Sequence, residues 1–175
     1  MSEAPDPKAM LKRIFELSAE VTRLGVAAGK TIGTAESCTG GLIGAALTAI
    51  PGSSAVFHGG IIAYDNRIKS KALGLPPELL KQHGAVSAET AKAMARGAIE
   101  NLEVDIAVSV TGIAGPGGGS DDKPVGTVWM GLAIKNNDAV SVTATHHFFE
   151  NLSRNKVRDM TCLAALKALT EALKT

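Results

Sequence analysis

Aromatic side chains are scarce in this sequence: one Trp, one Tyr and four Phe, 3% of 175 residues. So few rings provide no stacking platform for bases. Positive charge is not in excess either, since 18 Lys and Arg are interspersed with 17 Asp and Glu for a net charge of +1. No basic face forms, and no nucleic-acid partner is expected. No apolar run approaches the roughly 20 residues that cross a bilayer, so no membrane partner is expected. Only two cysteines occur, Cys38 and Cys162, far apart and without a leading signal-peptide pattern, which points to reduced thiols in a soluble cytoplasmic protein. No Cys/His spacing resembles a zinc site, so no structural metal is expected.

What is present in quantity is apolar side chains, 45% of the chain, enough to bury one core at this length. A single domain over residues 8–175 is expected, behind a polar, proline-bearing terminus from Met1 to Pro7 that should fray. Leu11, Ile14, Leu17, Val21 and Leu24 recur at helical spacing, with Gly25 or Gly29 placed to end that helix. A strand from Thr31 then runs into a helix with Leu42, Ile43, Ala46, Leu47 and Ile50 at helical spacing. A second strand is expected over Ala55 to Tyr64, then a helix capped by Asp65 or Asn66 and ended near Gly74. Helical turns follow over Glu78 to His83, and Ser87 begins a helix whose inward face is Ala91, Met94, Ala98 and Leu102. Val104 to Val110 is apolar apart from Asp105 and Ser109, as in a strand covered on both faces. Two strands, Val125 to Ile134 and Ala139 to Phe149, join over Lys135 to Asp138, and a last helix runs from Ser153 to about Leu173 with Leu152 and Val157 as a hydrophobic staple. Alternation followed by a late hairpin predicts a three-layer α/β/α domain with a mixed, largely parallel sheet.

The polar junction between the first strand and its helix, around Ser37, is the first place to look for chemistry. A helix start leaves N–H groups unpaired and carries partial positive charge, so a hydroxyl there lies beside an oxyanion site, and Ser37 or Thr39 can cap it. Cys38 is a rival nucleophile that a helix start could activate, and spacing does not separate it from Ser37. A serine nucleophile needs a base. His146 and His147 are adjacent on a strand and face opposite ways, while His58 and His83 sit near turns. Lys69 is the other candidate: as a base its pKa must fall by about 3, roughly 4 kcal/mol, through desolvation or a cation such as Arg67. Otherwise it is a solvated helix lysine. Ser153 and Lys156 also have Ser-x-x-Lys spacing, but no glycine-rich partner adjoins them. The glycine-rich stretch Thr111 to Pro124 lacks the Walker spacing, yet Thr111 and Gly112 close a buried strand, where open α/β sheets hold ligands. Arg154 and Arg158, four apart on one helix, could clamp a phosphate or carboxylate.

Five ordered motifs, Ala35-Glu-Ser-Cys-Thr-Gly-Gly41, Tyr64-x-Asn-x-x-Lys69, His83-Gly-Ala-Val-Ser87, Thr111-Gly-Ile-Ala-Gly-Pro116 and Lys123-Pro-Val-Gly-Thr-Val-Trp129, resemble the CinA C-terminal domain family. The resemblance covers roughly Lys8 to Leu173. It implies a nicotinamide-nucleotide amidohydrolase of pyridine nucleotide salvage, which converts nicotinamide mononucleotide to nicotinic acid mononucleotide and ammonia without a cofactor. Its partner would then be a small nucleotide substrate. Some members carry an additional N-terminal domain, for which this chain has no room, so the stand-alone form is expected. Carried over by motif, Ser37 is the nucleophile, Lys69 the base acting directly or through Tyr64. The N–H groups around Cys38, Thr39, Gly40 and Gly41 would hold the oxyanion, and Thr111, Gly112 and Arg154 or Arg158 would position ribose and phosphate. Asp65, where a small or polar residue such as serine is often expected in the family, would favour a charged Lys69. The alternative is a catalytically weak, nucleotide-binding regulatory module. Long apolar helices and the hairpin make a homodimer the expected assembly.

Overall fold

The computed structural model describes residues 6–137 and 139–174, so residues 1–5 of the expected frayed terminus and Asp138 of the hairpin connection lie outside the described residues. Helix α1, Pro7–Ala28, opens with Pro7 in its first turn and the Asp6 side chain accepting from the Ala9 N–H, and closes where Gly29 turns left-handed at φ +60°. Its buried stripe is Met10, Ile14, Leu17 and Val21. Leu11, expected on that stripe, is 65% exposed because Met10 occupies the inward position. Strand β1, Ile32–Glu36, is buried throughout and leads to α2, Leu42–Thr48. A short 3₁₀ turn over Ser53–Ala55 takes up the start of the expected second strand, so β2 covers only Phe57–Ile62.

Helix α3, Asn66–Leu73, is capped by the Asp65 side chain and ended by Gly74 at φ +72°. Then come α4, Pro77–His83, and α5, Ala88–Leu102, whose cap is the Ser87 hydroxyl accepting from the Thr90 N–H. Strands β3, Ile106–Gly112, β4, Thr127–Asn136, and β5, Ala139–Phe148, precede α6, Arg154–Ala172. The sheet order is β2-β1-β3-β4-β5. β1 pairs in parallel with β2 and β3, and the later strands add antiparallel pairs, which makes the sheet mixed.

Helices cover both faces, giving the three layers of an α/β/α domain. On one face Ile32, Val108, Val110 and Val128 pack with Ile14, Leu17, Ile43, Leu166 and Leu169 from α1, α2 and α6. On the other, Ala35, Ala107 and Ala133 meet Met94 and Ala98 of α5. Small strand residues let α5 lie close: Ser109 Oγ donates to the Ala91 carbonyl at 2.6 Å, and a Cβ on Gly131 would stand 2.3 Å from that same oxygen. Because β2, β1 and β3 run in parallel, their C-terminal ends open on one edge of the sheet, the place where such sheets hold ligands. Among the described residues no helix is long and apolar enough to cross a membrane.

Candidate active site

Three strand ends and the first turn of α6 enclose a cavity of about 180 Å³ lined by Ser37, Cys38, Tyr64, Asn66, Lys69, Ala85, Val86, Thr111, Gly112, Ala114 and Arg154. Ser37 follows β1 and is fixed by its N–H donating to the Val110 carbonyl at 3.0 Å. Lys69 sits one turn into α3, pinned in place by the Asp65 cap, and is only 1% exposed. Its Nζ lies 3.2 Å from Ser37 Oγ and donates to the carbonyls of Ala63 at 2.9 Å and Tyr64 at 3.4 Å. As an ammonium it saturates all three oxygens. As a neutral amine it keeps two donors for the carbonyls and turns its lone pair to the serine hydroxyl, which then donates.

Burial holds the Lys69 pKa below its ordinary 10.5, against smaller opposing effects of Cys38 and Asp65. The expected influence of Asp65 is thus outweighed. Its carboxylate is exposed, accepts from the Arg67 N–H at 2.8 Å and from Arg67 Nε at 3.1 Å, and is held below the usual carboxylate range by those bonds. Cys38 goes the other way: burial pushes its thiol up to about 12. A thiol so reluctant to ionise is a poor nucleophile, whereas the Ser37 hydroxyl has the Lys69 amine beside it.

Glu36, quoted in the first motif but given no role there, organises this turn. It is 1% exposed, and its carboxylate accepts from the N–H groups of Gly41 at 3.0 Å, Ile43 at 3.1 Å and Gly44 at 2.8 Å. The hydroxyls of Thr39, at 2.6 Å, and Thr34, at 3.3 Å, donate to it as well. An internal carboxylate therefore fills the start of α2, where an external anion was expected. This corrects two assignments, Gly40 and Gly41, and narrows a third, Thr39, to its backbone N–H. The Gly41 N–H is taken by Glu36, the Gly40 N–H donates to the Ser37 carbonyl at 3.1 Å, and the Thr39 hydroxyl points at Glu36. None of these three residues lines the cavity. The backbone N–H groups of Cys38 and Thr39 lie beside the Cys38 sulfur, and these are the remaining oxyanion candidates. An acid directly ahead of a Ser-Cys-Thr-Gly-Gly turn was the available clue to this internal cap. Gly41 itself is required, being at φ +95° with Ile62 Cδ1 2.9 Å from where its Cβ would lie.

The two arginines separate rather than acting as one clamp. Arg154 lines the cavity, donating to the Gly115 carbonyl at 2.8 Å and to Tyr64 Oη at 3.1 Å. Arg158 points away from it and donates to the Thr39 carbonyl at 2.9 Å, bracing the nucleophile turn. Tyr64 is 61% exposed, and what meets Lys69 is its carbonyl, so no phenol stands between the amine and the serine. Thr111 Oγ1 donates to the Ala85 carbonyl at 2.7 Å, and Gly112 passes so close to β4 that an added Cβ would stand 2.7 Å from the Thr127 carbonyl. Lys69 and Arg154 are the cationic side chains on the cavity wall, with no carboxylate among the lining residues.

The sequence profile of the CinA C-terminal domain matches residues 14–173. A CinA-like protein of Parasynechococcus marenigrum is 49% identical over 157 residues, 90% of this chain and 37% of that protein. A CinA-like protein of Leptospira interrogans is 45% identical over 174 residues, 99% of this chain and 40% of that protein. The chain thus spans well under half the length of these curated relatives. Among solved structures, the competence/damage inducible protein CihA from Agrobacterium tumefaciens superposes with a TM-score of 0.88 at 41% identity, covering 100% of both chains. A CinA superfamily protein from Escherichia coli gives a TM-score of 0.81 at 30% identity, covering 93% of this chain and 90% of its own.

Proposed function

This chain belongs to the CinA C-terminal domain family, and from that premise we propose that it hydrolyses the carboxamide of nicotinamide mononucleotide to nicotinic acid mononucleotide and ammonia. The observation that carries this reading is the buried amine of Lys69 at 3.2 Å from Ser37 Oγ. Ser37 Oγ attacks the carboxamide carbon as its proton passes to Lys69. The C–N bond then breaks, and the nitrogen takes that proton and leaves as ammonia. Water, deprotonated by the same amine, adds to the acyl ester, and Ser37 recovers its proton as the acid departs. The Cys38 and Thr39 N–H groups hold the oxyanion, a contribution of about 3 kcal/mol for a well-aimed donor. The cationic pyridinium ring draws electrons from the amide carbon and eases attack.

A nucleotide suits this cavity because its phosphate meets Arg154 without facing a carboxylate on the wall. Thr111 and Gly112, at the end of β3, border the space left for the ribose. The test is ammonia release from nicotinamide mononucleotide by the purified protein. Steady turnover is expected, and Ser37→Ala should abolish it. Binding of the nucleotide without ammonia release would instead favour a regulatory module that keeps the pocket and lacks the chemistry.

A further inference from the structure

Asn66 takes no part in the chemistry above, yet it opens α3 and lines the cavity, and its carboxamide makes no hydrogen bond within the protein among the described residues. Lys69 follows three positions later. Residues three apart share a helix face, so α3 offers a carboxamide and the base side by side. An amide substrate brings two different polar groups into this space. Its oxygen needs donors, which the turn at Cys38 and Thr39 supplies, and its –NH2 needs an acceptor.

Acceptors are few. Lys69 and Arg154 only donate, the Ala63 and Tyr64 carbonyls already serve Lys69, and Tyr64 Oη already takes a hydrogen bond from Arg154. Ser37 Oγ is the attacking atom. Among the lining side chains that accept no hydrogen bond within the protein, this leaves Asn66 Oδ1 and Thr111 Oγ1, whose proton is committed to the Ala85 carbonyl. The departing nitrogen has to take its proton from Lys69, so it lies on the α3 side of the cavity, where Asn66 stands.

We propose that Asn66 reads the substrate amide, its Oδ1 accepting a hydrogen bond from the –NH2 that departs as ammonia. The inference rests on the amide-hydrolase reading but does not need turnover to be tested. In a Ser37→Ala background, calorimetric titration compares nicotinamide mononucleotide with the methyl ester of nicotinic acid mononucleotide, which has no N–H at that position. Adding Asn66→Leu should weaken the amide by about tenfold and the ester by less than about threefold, as expected for one neutral hydrogen bond. Asn66→Gln, which keeps a neutral carboxamide acceptor, should lose less amide affinity than Asn66→Leu. Equal losses for both ligands, no loss for either, or an amide-specific loss from Thr111→Val instead would overturn the assignment, as would absence of nucleotide binding. Wild-type protein that releases no ammonia yet shows the Asn66-dependent preference would sink the hydrolase reading and leave this one standing.

Discussion

A lysine that is 1% exposed and bonded to two carbonyls and a serine has its charge removed from water. Desolvation therefore sets its behaviour, and two consequences can be measured. Lys69→Ala should lower kcat for ammonia release by at least about 100-fold while KM changes by less than about threefold, because the amine acts on the serine and not on the bound nucleotide. The second is a linkage. Since folding lowers the Lys69 pKa, the unfolded chain holds more protons between the folded value and 10.5, and stability rises with pH across that window. Urea denaturation should thus show wild type gaining on Lys69→Met as pH climbs toward 10.5. A constant difference would mean that Lys69 titrates alike in both states. Of these residues, Ser37, Lys69 and Arg154 were legible as candidates from residue type and motif. That Lys69 is dry was not, because burial depends on which strand end closes over it.

At the scale of elements, α2 has an unusual start. Five donors converge on Glu36, three of them backbone N–H groups of the helix it opens. Glu36→Ala would strand them, and the unfolding free energy should fall by about 3 kcal/mol or more, read from chemical denaturation. A loss below about 1 kcal/mol would show that water replaces the carboxylate. Helix α5 offers a steric counterpart. A Cβ on Gly97 would stand 2.1 Å from the Leu73 carbonyl, so Gly97→Ala should destabilise by about 2 kcal/mol or more despite alanine's better helix propensity, and an unchanged melting temperature would contradict that packing. Helices α3 and α5 were readable in advance because their caps, Asp65 and Ser87, sit immediately ahead of them. The start of α2 was not. Its cap reaches from the end of β1 across five residues to Gly41, a distance no capping pattern encodes.

At the scale of the whole molecule, the alternation of strand and helix and the late hairpin made the three-layer arrangement legible. Strand order was another matter, since nothing in the spacing places β1 between β2 and β3, and that placement brings Ser37, Tyr64 and Thr111 to one edge. Likewise Arg154 and Arg158 share a helix, yet tertiary packing sends one to the cavity and the other to the Thr39 carbonyl. Both cores share the central strands, so far-UV circular dichroism and the fluorescence of Trp129 on β4 should report one coincident urea transition. Separated midpoints would contradict a single cooperative unit. The most direct check on the chemistry is the pH dependence of ammonia release from nicotinamide mononucleotide, set beside the nitrogen-15 titration of Lys69 Nζ. The rate should rise with pH through one ionisation below 10.5 that matches the Lys69 midpoint. A lysine titrating at its ordinary value, or a rate indifferent to its ionisation, would contradict a buried neutral amine as the base for Ser37.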